Sequence, residues 1–166
     1  KVVNERIYAE GAPNPMFRNP IGHGMCGPTV VAWGSEEQKR RYLPRLARGE
    51  ITFCLGYTEP EAGSDLASLQ TRADREGDDY VINGRKWFTT GAKRAAYTTV
   101  MVRTEPEGSP PHRAFSLIVV PTDTPGYRIV RDTPVLGLDG GSGALVLGRD
   151  ATLERNLQSA LIESRQ

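Results

Sequence analysis

Nine residues carry the densest chemical potential in this chain: Tyr57, Thr58, Glu59, Pro60, Glu61, Ala62, Gly63, Ser64 and Asp65, read as YTEPEAGSD. They follow the apolar run Ile51 to Leu55, so their polar groups lie where a strand opens into a loop. Pro60 has a fixed φ and pushes Glu59 toward an extended backbone. Gly63 allows angles or a close approach that a Cβ would forbid. Thr58 and Ser64 bracket the loop with hydroxyls that both donate and accept. Such a loop offers N–H groups and short hydroxyls to something flat or anionic. The same composition also makes an ordinary turn, because Pro, Gly, Ser and Asp are the common turn residues.

A second stretch stands some twenty residues on. It runs Val81-Ile82-Asn83-Gly84-Arg85-Lys86-Trp87-Phe88-Thr89-Thr90-Gly91-Ala92. Asn83-Gly84 is a hairpin-turn signal between two β-rich runs. Trp87 and Phe88 should point to opposite faces, because neighbours along a strand alternate.

The two stretches, in this order and separation, resemble the acyl-CoA dehydrogenase family, whose members carry a TEPxAGSD-like segment and then an ING-K-W-type segment. The resemblance extends from about Ile21 to Gly137. It implies a small β-barrel middle domain between helical domains, with FAD as cofactor and an acyl-CoA thioester as substrate. It implies that Tyr57 and Thr58 face the flavin ring, with Leu55, Gly63 and Thr89 beside them in the same cofactor site. Ser64 would lie near the flavin pyrophosphate and the pantetheine arm of the substrate. Phe88 would cover the ring where many members have tryptophan, and Thr90 would approach N5. An isoalloxazine suits such a site, because preorganised donors stabilise the charge that builds toward N1 and the C2 carbonyl on reduction.

The resemblance also locates what is missing. The family's base is a glutamate in a C-terminal helical domain, and residues 1–166 contain no counterpart to that domain. No catalytic residue is therefore assigned within the chain. Glu59 and Glu61 match positions that shape the loop, and His23 and His112 read as lone surface or hydrogen-bonded histidines. Gly140-Gly141-Ser142-Gly143 reads as flexible loop, lacking the strand-to-helix context of a phosphate cradle. Two readings follow. One is the FAD- and acyl-CoA-binding part of a dehydrogenase that removes hydrogens α and β to a thioester. The other is a truncated, non-catalytic paralogue that binds or assembles. An oxidase or a flavin monooxygenase would share the fold. Family membership implies electron-transfer flavoprotein as electron acceptor and a homo-oligomer for the complete protein.

The rest of the chain must position those two stretches. At 166 residues it is long enough for one domain with a core, by a prior of about 150 residues per domain. Its 38% hydrophobic and 25% charged residues are those of a globular protein. A net charge of +1 gives no reason to expect nucleic acid. No apolar run nears the roughly 18 residues of a membrane span. Cys26 and Cys54 lack metal-ligand spacing and read as small buried hydrophobes, so the cytoplasm is expected.

Three parts are expected: residues 1–48 as loop and helices ending an N-terminal α-domain, 49–150 as the β-barrel, and 151–166 as a divergent tail. Lys1 to Pro20 is rich in breakers and reads as extended. Ser35 with Glu36, Glu37 and Gln38 starts a helix, a hydroxyl cap followed by acids at the positive end of the dipole. Pro44 should make its second half irregular, and Arg48-Gly49 should end it. From Glu50 the pattern is of strands: Ile51 to Tyr57, Gln70 to Glu76, Tyr80 to Asn83, Arg85 to Thr90, Tyr97 to Arg103, Ala114 to Val120 and Tyr127 to Arg131. Turns fall at Glu76-Gly77-Asp78, Gly108-Ser109-Pro110-Pro111 and Thr124-Pro125-Gly126. Many short strands without intervening helices predict a mainly β fold, a small antiparallel barrel or sandwich with a short N-terminal helical segment. Leu153 to Glu163 has the spacing of a short amphipathic helix.

Overall fold

The computed structural model describes residues 5–6, 9–12, 19–110, 113–135, 138–147 and 152–154, with side chains described through residue 133. The helical part comes first. A π-turn over Gly22–Cys26 leads directly into α1, Gly27–Trp33. Helix α2 spans Glu36–Ala47, and its start is the one the sequence signals. Ser35 Oγ accepts from the Gln38 N–H at 3.2 Å while Gln38 Oε1 accepts from the Ser35 N–H at 2.8 Å, a reciprocal capping box. Gly49, at φ +72°, follows the end of the helix. Pro44 does not disorder the second half as expected; α2 continues through it to Ala47. The breaker-rich N-terminal segment also holds more helix than its composition suggests, since Glu5, Arg6 and Ala9 are helical.

Among the described residues eight strands follow: β1 Phe53–Gly56, β2 Arg72–Glu76, β3 Asp79–Thr90, β4 Tyr97–Arg103, β5 Phe115–Pro121, β6 Tyr127–Val135, β7 Leu138–Leu147 and β8 Thr152–Glu154. They form one sheet in the order β1-β4-β2-β3-β7-β6, with β5 on β4 and β8 on β3. Most pairings are antiparallel; β1 runs parallel to β4, and β2 meets β4 in parallel at Arg72 and Arg103. The fold is thus mainly β, as predicted, and no pairing closes the sheet on itself among the described residues.

Strand β3 carries the fold's main departure from the sequence reading. Tyr80 to Asn83 and Arg85 to Thr90 are one strand, and Asn83-Gly84 is not a turn. The hairpin lies at Gly77-Asp78, where Glu76 pairs Asp79 and Gly77 sits at φ +62°. Up to Asn83, β3 pairs with β2; from Gly84 onward it pairs with β7. Gly84 is needed at this change of partner for lack of bulk. A Cβ there would lie 2.3 Å from Thr71 Oγ1 and 2.6 Å from Thr71 Cβ. Gly84→Ala is therefore expected to lose about 1–3 kcal/mol by overpacking. A thermal melt showing the variant as stable as the parent would refute this close-approach account.

The Gly140 to Gly143 run is strand, not loop: within β7, Ser142 pairs Thr90 and Gly143 pairs Thr89. Leu153 likewise belongs to β8, opposite Tyr80, rather than to a helix. Glu154 lies in the same strand, opposite Asp79, and residues 155–163 of that expected helix, with His112, lie outside the described residues.

Three apolar clusters hold the architecture among the described residues, the smallest being Cys54, Ala92 and Ala95. Ala73, Tyr80, Ile82, Val100, Val102, Ile118 and Val120 fill the sheet's inner face. Cys26, Val30, Tyr42 and Leu46 join the helices to Ile51, Phe53, Tyr97 and Val119. In the second, the rings of Tyr42, Phe53 and Tyr97 lie within 5.1–5.8 Å of each other, each pair adding about 0.5–1.5 kcal/mol beyond burial. Both cysteines are buried as expected, and burial pushes each thiol up to about 11. Among the described residues, no helix is long and apolar enough to cross a membrane.

Candidate functional site

The loop after β1 and the second half of β3 are brought together by direct bonds. The Trp87 N–H donates to the Thr58 carbonyl at 2.8 Å. Lys86 Nζ donates to the Tyr57 carbonyl at 3.1 Å and to Glu59 Oε1 at 2.8 Å. On the surface, Arg85 reaches Glu61 at 3.1 Å. The two stretches that the sequence singles out thus form two edges of one feature.

Glu59 is the clamp. Its carboxylate accepts from the Gln70 N–H at 2.6 Å, the Thr71 N–H at 2.9 Å, the Thr71 hydroxyl and the Lys86 ammonium. The loop also closes on itself, with Glu59 and Ala62 exchanging backbone bonds at 2.8 and 3.2 Å. The Lys86 side chain is 0% exposed and that of Glu59 2%. Burial acts to raise the Glu59 pKa, but Lys86, Thr71 and the two backbone donors outweigh it and hold the carboxyl below its ordinary 4.5. Burial lowers the Lys86 pKa, with Glu59 opposing.

A carboxyl depressed in the folded state contributes stability that is present above its unfolded pKa and lost as pH falls through the folded one. Melting temperature should therefore drop on acidification from pH 5 downward, and the drop should be shallower in Glu59→Gln. An identical acid profile in the two proteins would remove Glu59 as a source of acid sensitivity.

Around this clamp the predicted site residues fall as follows. Leu55, Tyr57 and Thr58 are half-buried, and Gly63 and Ser64 are exposed. Burial, then the nearby Cys26 thiol, push the Tyr57 phenol up to about 12. Phe88 is half-exposed, Thr89 is buried and Thr90 is exposed. The strict alternation expected at Trp87 and Phe88 does not hold. The register against β7 slips between Lys86 and Thr89, and Phe88 takes φ +54°. This bulge inserts an extra residue between two inward-facing ones. Trp87 and Phe88 consequently contact each other edge to face, with centroids 5.8 Å apart. Trp87 is covered by the Arg131 guanidinium of β6 at 4.5 Å rather than packed on a separate face.

Three observations suit a planar, partly apolar ligand with polar edges. Phe88 presents an exposed ring from a backbone region that L-residues adopt at a cost, the kind of strain that concentrates at ligand clamps. Thr89 Oγ1 is buried with no hydrogen-bond partner among the described residues. The loop that carries the Thr58 and Ser64 hydroxyls is bonded to the same strand through the Trp87 N–H and the Thr58 carbonyl. The residues present therefore fit an isoalloxazine. A separate open cleft lined by Glu59, Glu61, Gln70, Thr71, Gly84 and Arg85 shares none of the predicted flavin residues.

Sequence reasoning missed the buried cation. The parity that turns Tyr80 and Ile82 inward also turns Lys86 inward, and that parity is the signal that could have found it. The π-turn at Gly22–Cys26 was missed as well, and no composition signal marks it.

Comparison with known proteins places this geometry. Residues 54–149 match the family model "Acyl-CoA dehydrogenase, middle domain", and residues 2–50 match "Acyl-CoA dehydrogenase, N-terminal domain". Acyl-CoA dehydrogenase FadE29 of Mycobacterium tuberculosis is 50% identical over 114 residues, covering 69% of this chain and 28% of that protein. FadE26 from the same organism is 46% identical over 128 residues, covering 76% of this chain and 31% of its own length. Among solved structures, one described as "Tcur3481-Tcur3483 steroid ACAD" aligns with TM-score 0.74 and 40% identity, over 89% of this chain and 36% of that one. A glutaryl-CoA dehydrogenase from Mycobacterium smegmatis in complex with FADH2 aligns with TM-score 0.72 and 36% identity, over 84% of this chain and 34% of that one. The chain spans roughly a third of the length of these relatives. With matches across both its helical segment and its sheet, the chain belongs to the acyl-CoA dehydrogenase family.

Proposed function

We propose that this chain forms the flavin-facing and part of the acyl-CoA-facing wall of a dehydrogenase that oxidises an acyl thioester between its α and β carbons. The observation that carries the reading is the 2.8 Å bond from the Trp87 N–H to the Thr58 carbonyl, which joins the two candidate edges. Tyr57 and Thr58 form one side of a slot for the isoalloxazine of FAD, with Leu55 and Gly63 beside them. Phe88, Thr89 and Thr90 form the other side. When bound, FAD supplies the acceptor for the substrate's β-hydride. The protein's part is to hold the ring, exclude water from one face through Phe88 and offer donors where negative charge gathers.

Ser64, exposed in the loop, would meet the pyrophosphate or the pantetheine arm. The α-proton is removed by a carboxylate outside these 166 residues. The division at residues 48 and 150 follows the same reading, as do an electron-transfer flavoprotein partner and self-association. The description of one structural relative as a "steroid ACAD" makes a bulky, ring-bearing acyl group the first substrate to try.

The test is FAD titrated into the purified protein, followed by visible absorbance after gel filtration. A resolved flavin band travelling with the protein is the expected result. No uptake at saturating FAD would overturn the reading.

A further inference from the structure

The peptide between Tyr57 and Thr58 is gripped by a cation on its carbonyl side. Lys86 Nζ donates to the Tyr57 oxygen at 3.1 Å and shares itself with Glu59 at 2.8 Å. Water does not screen this ammonium, because the Lys86 side chain is wholly buried. The N–H of the same peptide unit belongs to Thr58, whose carbonyl is in turn fixed by Trp87. A peptide is one conjugated unit, so charge placed on its oxygen is felt at its nitrogen. A cation there draws density away from the N–H and makes it a stronger donor, the polarisation that runs along chains of hydrogen bonds in a low-dielectric interior.

Resting on the flavin reading above, we propose that Lys86 is a positioning residue that sets the reduction potential of the bound flavin through the Tyr57–Thr58 peptide. The strengthened Thr58 donor favours the electron-rich reduced ring over the oxidised one. Glu59 acts with the opposite sign. It anchors the ammonium in place, and as an anion it also tempers the field that Lys86 exerts on the peptide. The pair therefore does two separable things: it locks the loop to β3, and it fixes how much positive charge the peptide feels.

The two roles make different predictions for the same variants. If the pair only locks the loop, removing either partner loosens the site and moves the potential in one direction. If it also tunes, the variants split by charge. Lys86→Met should lower the preference for reduced over oxidised flavin by about tenfold, a shift of about 30 mV toward negative potential for a two-electron couple. Glu59→Gln should shift the potential the other way. The double variant Lys86→Met/Glu59→Gln should fall between Lys86→Met and the parent.

Midpoint potentials of the FAD-loaded protein, read by dye-coupled titration of the flavin absorbance, give the answer. Melting temperatures of the flavin-free protein measure the locking role separately. Should Lys86→Met not fold, the double variant carries the test, since it leaves no uncompensated buried charge. A double variant at the parental potential overturns the inference, and so do shifts of one sign in all variants. A parent protein that takes up no FAD sinks the site reading and this inference together. A parent that binds FAD while the variants keep its potential sinks this inference alone.

Discussion

Glu59→Ala is expected to lose about 3–5 kcal/mol of stability, the scale for stripping one partner from a buried ion pair. The reason is what stays behind. Lys86 would keep an ammonium with no exposed surface and, among the described residues, only the Tyr57 carbonyl as hydrogen-bond partner. The N–H groups of Gln70 and Thr71 and the Thr71 hydroxyl would lose their acceptor as well. Each buried donor left unsatisfied adds about 1–3 kcal/mol of desolvation.

The molecule supplies its own control. Glu61 and Arg85 bridge the same two segments at 3.1 Å, yet their side chains are 59% and 63% exposed. Glu61→Ala should therefore change stability by no more than about 1 kcal/mol, because solvent screens the pair and both side chains give up rotamer freedom to form it. Urea unfolding of the two variants decides the matter. Equal, small losses would mean that the buried pair is not what holds the loop to β3. Against a total stability of about 5–15 kcal/mol for a domain, the larger loss would leave a substantial unfolded fraction.

How far these features could be read from the chain depends on how local their causes are. The Ser35 cap was legible because the capping box is written within four consecutive residues. The Gly77-Asp78 hairpin and strand β4, Tyr97 to Arg103, were legible for the same reason. Asn83-Gly84 misled because its usual meaning is local while its use here is not. Gly84 answers to Thr71, thirteen positions away, and to the exchange of β2 for β7 as partner. Phe88 misled similarly. Alternation is a rule for unbroken ladders, and the slip against β7 is set by a strand some fifty residues on. Family likeness led to the expectation that Thr58 and Phe88 belong to one cofactor site, and the structure bonds the two stretches that carry them. The bond that joins them runs from Trp87, and its partner could not be deduced from either stretch alone.

Phe88→Gly should move FAD affinity and the fold's stability in opposite directions. At φ +54° an L-residue carries about 1–2 kcal/mol of strain that glycine relieves. Glycine gives back about 0.5–1 kcal/mol through the greater freedom of the unfolded chain. Because the Phe88 side chain is already half in solvent, its loss removes little packing from the flavin-free protein. The flavin-free variant should thus be as stable as the parent or up to about 1 kcal/mol more so. FAD binding should move the other way. Burying an aromatic face against the ring is worth about 1.5–3 kcal/mol, so its removal should weaken FAD by about ten- to a hundredfold. Phe88→Ala separates the two effects: it loses the ring but keeps the strain, so affinity should fall with no gain in stability. Calorimetric melts and FAD titrations on the three proteins read both quantities. Undiminished affinity in Phe88→Gly would mean that the ring does not cover the flavin. A clear loss of stability would mean instead that Phe88 holds the bulge together, and that its left-handed backbone belongs to the fold rather than to the site.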